Sequence, residues 1–189
     1  MRYADYKLYD IANGPGVRLS LFTQGCPHHC PGCFNPETWD FNGGKEYTLE
    51  TTMEIIEHCK KPQISGLSIL GGEPFAQKMS TLTALLALYK DHVGKPVWVW
   101  TGYTIEELAK DPINLAVLSL IDVLVDGPFI EAKKNIRLVH RGSSNQRVID
   151  VKKTLDNFNS KIGIEYFKGG PVSEIDQKVM TESIVLYEE

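Results

Sequence analysis

No apolar run in this 189-residue chain reaches the roughly 18 to 20 residues that a bilayer-spanning helix needs. The opening stretch MRYADYKLYDIANGPG has no apolar core of the kind a signal peptide carries, which points to the cytosol and to no membrane partner. No basic run stands out, and 20 basic against 24 acidic side chains leave a formal charge of −4. The footprint of a nucleic-acid binder is therefore missing. There is no internal repeat and no low-complexity tract. The length fits one domain able to bury a core without staples. Cysteine is scarce, with four in all, yet three of them fall within eight positions.

Those three are Cys26, Cys30 and Cys33, spaced C-x3-C-x2-C in GCPHHCPGCFN. A reducing compartment argues against a disulfide and for a metal. Three thiolates are soft ligands suited to zinc, copper(I) or an iron–sulfur cluster. A closed zinc site wants four ligands, and the second cysteine pair that usually supplies them is missing. Cys59 falls on the apolar stripe of a predicted helix and reads as a small buried hydrophobe. His28 or His29 could complete a Cys3His set, although both read more simply as solvent-facing loop residues. The other possibility is a four-iron cluster on three thiolates. That would leave one iron open to a further ligand.

Around this cluster, apolar runs ending in glycine alternate with helical patterns. Strands are expected at Val17–Gly25, Gly66–Gly72, KPVWVWTGY and LIDVLVDGP, with shorter ones at LVHRGSS and QRVIDV. Helices are expected over TLETTMEIIEHCKK, with Leu49, Met53, Ile56 and Cys59 inward, over STLTALLALYKDHV, with Leu82, Leu85, Leu86, Tyr89 and Val93 inward, and over TIEELAK. A capping box is expected at Thr51 and Glu54 unless the first helix begins at Thr48. Such alternation implies an α/β fold with a parallel sheet, whose ligands gather at the carboxyl ends of the strands. The cysteines, GGEP and TGY all fall at such ends. Beyond Val151 the pattern weakens. Two strands around Ile164 and Val185 are expected in what reads as an appendage, 151–189, to a core of 1–150.

The cysteine triplet followed by GGEP resembles the radical S-adenosylmethionine enzymes. With DIANGPGVRLSLFTQGCPHHCPGCFNPETW, VWVWTGY, VDGPF and RGSSNQR, residues 5 to 150 are similar to the activases of anaerobic (class III) ribonucleoside-triphosphate reductases. The resemblance implies a small incomplete (β/α) barrel in which Cys26, Cys30 and Cys33 ligate one [4Fe–4S] cluster. S-adenosylmethionine would chelate the fourth iron and be cleaved reductively. The resulting 5′-deoxyadenosyl radical would take hydrogen from a glycine of the reductase, the large glycyl-radical subunit. A low-potential electron donor is implied as a second partner.

By position, the resemblance assigns Gly71, Gly72 and Glu73 to the methionine amino group, with Glu73 where this subfamily more often has Asp. It assigns Gly32, Cys33 and Phe34 to the adenine side. Asp126 either binds S-adenosylmethionine or caps a turn. Asn13, Gly14, Gly16 and Arg18 are candidates for contact with the partner, or form a tight turn with Arg18 in solvent. Trp98 and Trp100 share a strand face and read as core packing, while RGSSNQR could meet cofactor or partner. An activase for a formate-lyase type of enzyme, or a zinc-stabilised binding module, are the alternatives.

Overall fold

The parallel heart of the molecule is built by four strands whose side chains alternate between two faces. The computed structural model describes residues 1–160 and 163–167. In the strand Arg18–Thr23 (β2), Leu19 and Leu21 point to one face, and Arg18, Ser20 and Phe22 to the other. β2 is followed by Gly66–Gly71 (β4), Val97–Trp100 (β5) and Val123–Asp126 (β6), each parallel to the strand before it. Among the described residues three further strands join the sheet: Arg2–Asp10 (β1), Lys45–Glu46 (β3) and Arg147–Asp150 (β7). The order is β3-β1-β2-β4-β5-β6-β7, and β1, β3 and β7 run antiparallel to their neighbours.

Helices Leu49–Lys60 (α1), Met79–His92 (α2) and Pro112–Leu118 (α4) cover the first face, with the short Ile105–Leu108 (α3) between β5 and α4. Leu19, Leu21, Leu67, Ile69, Val97 and Val99 meet them in the main core. A second, smaller cluster of Trp98, Val123 and Val125 lies on the other face, with Trp100 packed against it. The expected packing of the tryptophan pair is therefore correct, but on the face opposite the helices. Helix Val151–Ser160 (α5) follows β7 directly, and Val151 is buried in the main core.

Several expectations are corrected. α1 begins after Thr48, whose side chain forms a capping box with Thr51. This turns Thr52, Ile55, Ile56 and Cys59 inward, and leaves Leu49 69% and Met53 41% exposed. The α2 stripe is buried as expected at Leu82, Leu85, Leu86 and Tyr89. LVHRGSS is not a strand but part of an irregular strap between β6 and β7, touching strand geometry only at a Lys134–Ser143 bridge. β1, β3, α4 and α5 were not anticipated. β1 is half-exposed along its length and lacks the apolar run that marks a central strand. Of the two late strands, the first is a single bridge at Tyr166 to Ile149, and Val185 lies outside the described residues. Among the described residues no helix is long and apolar enough to cross a membrane.

Candidate functional site

The loop after β2 is held in place by its backbone. Gly25 N–H donates to Thr38 O at 2.8 Å and Cys26 N–H to Trp39 O at 3.1 Å, while Gln24 donates to the carbonyls of Glu37 and Asp40. Within the loop, Cys33 N–H donates to Cys30 O, and His29 adopts a left-handed backbone with φ 47°. Cys26, Cys30 and Cys33 are all free thiols and all line one cavity of about 480 Å³ at the carboxyl ends of the parallel strands. Burial pushes the Cys26 thiol above its ordinary value, partly offset by the His28 and His29 amides facing its sulfur. A thiol in such a place gives up its proton when a cation arrives to hold the thiolate.

Gly71 and Gly72, at the end of β4, line the same cavity. The β4 backbone comes so near the β2 loop here that a Cβ at Gly72 would lie 2.6 Å from Gly25 O. Only glycine permits that approach. The amides of Gly72 and Glu73 are turned back onto Thr23 O and Gly25 O. These two amides are therefore used within the protein.

Glu73 also borders the cavity, but its carboxylate is consumed within the protein. Oε1 accepts from Phe75 N–H at 3.0 Å and from the Thr101 hydroxyl at 2.8 Å. Oε2 accepts from Gly102 N–H at 2.8 Å and from His28 Nε2 at 2.9 Å. Four donors fill the roughly four acceptor positions of a carboxylate. Glu73 thus joins the cysteine loop, the end of β4 and the end of β5.

Of the two histidines, His29 is exposed in the loop as expected, whereas His28 is only partly exposed. His28 bonds Glu73 and meets Tyr103 edge-on at 4.5 Å, while His29 stacks on Trp39 at 4.7 Å. Among the described residues no three His, Cys, Asp or Glu side chains converge as a single metal ion requires.

Phe34 lines the cavity yet is 62% exposed, its ring edge-on to Phe129 at 5.3 Å. Gly32, with φ 69°, sits against the Glu131 side chain, which a Cβ there would meet at 2.7 Å. Asn13 borders the cavity from the β1–β2 loop, and its carbonyl accepts from the Ser68 hydroxyl. Gly14 backs onto the Arg18 side chain, and Gly16 onto Ser65.

Arg18 is neither at the cavity nor in solvent. Only 1% exposed, it donates to Ser68 Oγ at 2.7 Å and to the carbonyls of Leu67 and Pro96 at 2.8 Å, with its guanidinium over Trp98. Burial pulls its pKa down to about 10, so it stays charged at neutral pH. Arg18 and Gly16 line a different cavity, at the amino ends of the strands, together with Ser65 and Pro96.

Asp126 is fully buried and caps the turn before α3. It accepts from Ile105 N–H at 2.8 Å and pairs with Arg147, which also reaches Glu106. Burial raises the Asp126 carboxyl above its usual value, and Arg147 and the Ile105 amide draw it back.

Sequence reasoning missed Trp100, Leu138, His140 and Gln146 as cavity residues. RGSSNQR had flagged the region of Gln146, and TGY had flagged Thr101 and Gly102 by their position at a strand end.

The three free cysteines and the glycine turn thus border one cavity at the parallel strand ends. The family model for a 4Fe-4S single cluster domain matches residues 12–149. The chain is 43% identical over 152 residues to the anaerobic ribonucleoside-triphosphate reductase-activating protein of Salmonella typhi, covering 78% of this chain and 97% of that one. The protein of the same name from Escherichia coli K12 is 41% identical with the same coverage, and that of phage T4 is 37% identical over 143 residues, 74% of this chain and 87% of the phage protein. The chain belongs to the family of anaerobic ribonucleoside-triphosphate reductase-activating proteins.

Proposed function

We propose that this chain activates an anaerobic ribonucleoside-triphosphate reductase by generating its glycyl radical, with one [4Fe–4S] cluster and S-adenosylmethionine. The observation that carries the reading is the cavity in which three clustered thiols face the Gly71–Gly72 turn. The donor set fits the group. Three soft thiols are present, and they need not converge on one point when each serves a separate iron.

Cys26, Cys30 and Cys33 would hold the cluster, and the Gly71–Gly72 turn would receive the methionine amino group. When bound and reduced by a low-potential donor, the cluster would supply the electron for cleavage of S-adenosylmethionine and so the radical chemistry that ends on a reductase glycine. The chain's own residues hold and shield. Glu73 and His28 fix the cysteine loop against the ends of β4 and β5. Phe34 offers a flat apolar face at the cavity edge, suited to an adenine ring.

The seven-stranded sheet, with different strands at its two edges, supports the incomplete-barrel reading. An arrangement left open on one side admits a loop of a large protein, and docking then keeps water and oxygen from the radical.

Anaerobic reconstitution tests the proposal. About four irons and four sulfides per chain are expected, with methionine and 5′-deoxyadenosine released under a low-potential reductant. A glycyl radical should then appear on the reductase by electron paramagnetic resonance. Stoichiometric zinc without iron, or no turnover with the reductase present, sinks it.

A further inference from the structure

The strap of residues 127–146 between β6 and β7 has two sides with different chemistry. Its ends are pinned together, since Gln146 donates to Gly127 O at 3.1 Å and accepts from Gly142 N–H at 2.9 Å, and Asn145 donates to Pro128 O at 2.8 Å. Between them, Ser144 N–H bonds Lys133 O and Asn135 N–H bonds Gly142 O, which makes a narrow hairpin-like loop. One side faces inward. Phe129, Leu138 and His140 line the cysteine cavity, and Trp100 Nε1–H holds His140 O at 2.8 Å.

The other side faces solvent. Ile136, at its turn, is 92% exposed, the most exposed large apolar side chain among the described residues. Lys133, Lys134 and Arg137 are exposed around it. Three basic residues against the single acid Glu131 give residues 130–137 a local charge of +2, on a chain whose net charge is −4. The strap also rests on the cysteine loop. Glu131 lies against Gly32, and Lys134 Nζ stands 4.9 Å above the Phe34 ring.

We propose that the outer side of this strap is the surface on which the reductase docks. Ile136 would enter an apolar recess of the reductase, and Lys133 and Arg137 would face acidic side chains there. The inference rests on the activase reading. The reacting hydrogen belongs to a residue of another protein, so that protein must cover the cavity, and this strap forms one wall of it. An isoleucine left in water at such a rim gains affinity only when a partner buries it. Full burial of that side chain is worth about tenfold or more in binding. Charges around an apolar anchor steer encounter and fix orientation, which makes association fall with ionic strength.

The test uses the reconstituted full chain and purified reductase, titrated anaerobically. Ile136→Asp and the double variant Lys133→Glu/Arg137→Glu are each expected to weaken binding about tenfold or more. Iron content, and methionine release by reductant without the reductase, should stay within about twofold of wild type. Wild-type affinity should fall as salt rises, and the double variant should lose most of that dependence. Binding within about twofold of wild type for both variants overturns the proposal. So does loss of iron, which would make the strap a brace for the cysteine loop only. A dimer of the wild type that Ile136→Asp abolishes, with reductase binding unchanged, assigns the surface to a second copy and also overturns it. A wild type that neither releases methionine nor binds the reductase instead sinks the activase reading itself.

Discussion

The carboxyl and amino ends of the parallel strands both bury charge: Glu73, with Asp126, at the first and Arg18 at the second. Glu73 and Arg18 stand in motifs that read as contact points for something outside the chain, and in both the charge is used internally. The uses differ. Glu73 gathers four donors from the cysteine loop, the turn after β4 and the loop after β5, all of which border the cavity. Arg18 gathers a hydroxyl and backbone carbonyls from β4 and the start of β5, remote from the thiols. A buried charge with its hydrogen bonds satisfied is a fixed joint, and what it fixes depends on the end of the sheet it occupies.

The sharpest way to separate the two ends begins with a thiol. Cys33→Ala should lower bound iron and cut methionine release by a factor of about 10² or more, since each step depends on the cluster. The thermal midpoint of the metal-free protein should barely move, because Cys33 is only partly buried. A large fall in that midpoint would make the loop a structural knot.

Next come the joints themselves. Glu73→Gln keeps the shape but sets an amide among four donors, and a cost of about 2–4 kcal/mol is expected from the unsatisfied groups. Iron retention and methionine release should fall with it. Arg18→Met removes the donors to Ser68 and to the carbonyls of Leu67 and Pro96, at a similar cost of about 1–3 kcal/mol. Here iron content and reductase-free methionine release should stay near wild type. Denaturant unfolding beside iron analysis checks both. Equal loss of iron in the two variants would erase the distinction between the ends of the sheet.

The smallest effect lies at Arg147. Its bond to Glu106 holds that carboxyl below the ordinary range. A group whose folded pKa is depressed contributes stability above its unfolded value and loses it as pH falls through the folded one. The advantage of wild type over Glu106→Gln should therefore be present at neutral pH and fade below about pH 4. Glu106 is 46% exposed, so the difference is expected to stay below about 1 kcal/mol. An advantage that grows as the pH falls would contradict the sign.

Patterns set by near neighbours were legible in advance. The four central strands, the α2 stripe and the position of the cysteine and glycine motifs at successive strand ends all follow from local alternation and turn chemistry. α1 misled because Leu49 and Met53 fit a helical period as well as Thr52 and Ile55 do, and the capping box at Thr48 decided which face turned inward. The strap misled because its apolar residues serve two surfaces. Leu138 goes inward and Ile136 outward without a strand's alternating pairing.

The sequence by itself determined the donor set: three thiols at fixed spacing, a glycine pair one strand later, and an α/β alternation that sends both to one edge. Only the tertiary structure decided the partners of the buried charges. Glu73 meets His28 across 45 positions and Thr101 across 28, and Arg18 meets Pro96 across 78. Such partners are chosen by how strands and loops pack, and a motif read along the chain carries no record of that choice. Hydrogen-bonding capacity is finite, so the packing of strands and loops decides which groups each buried charge holds together.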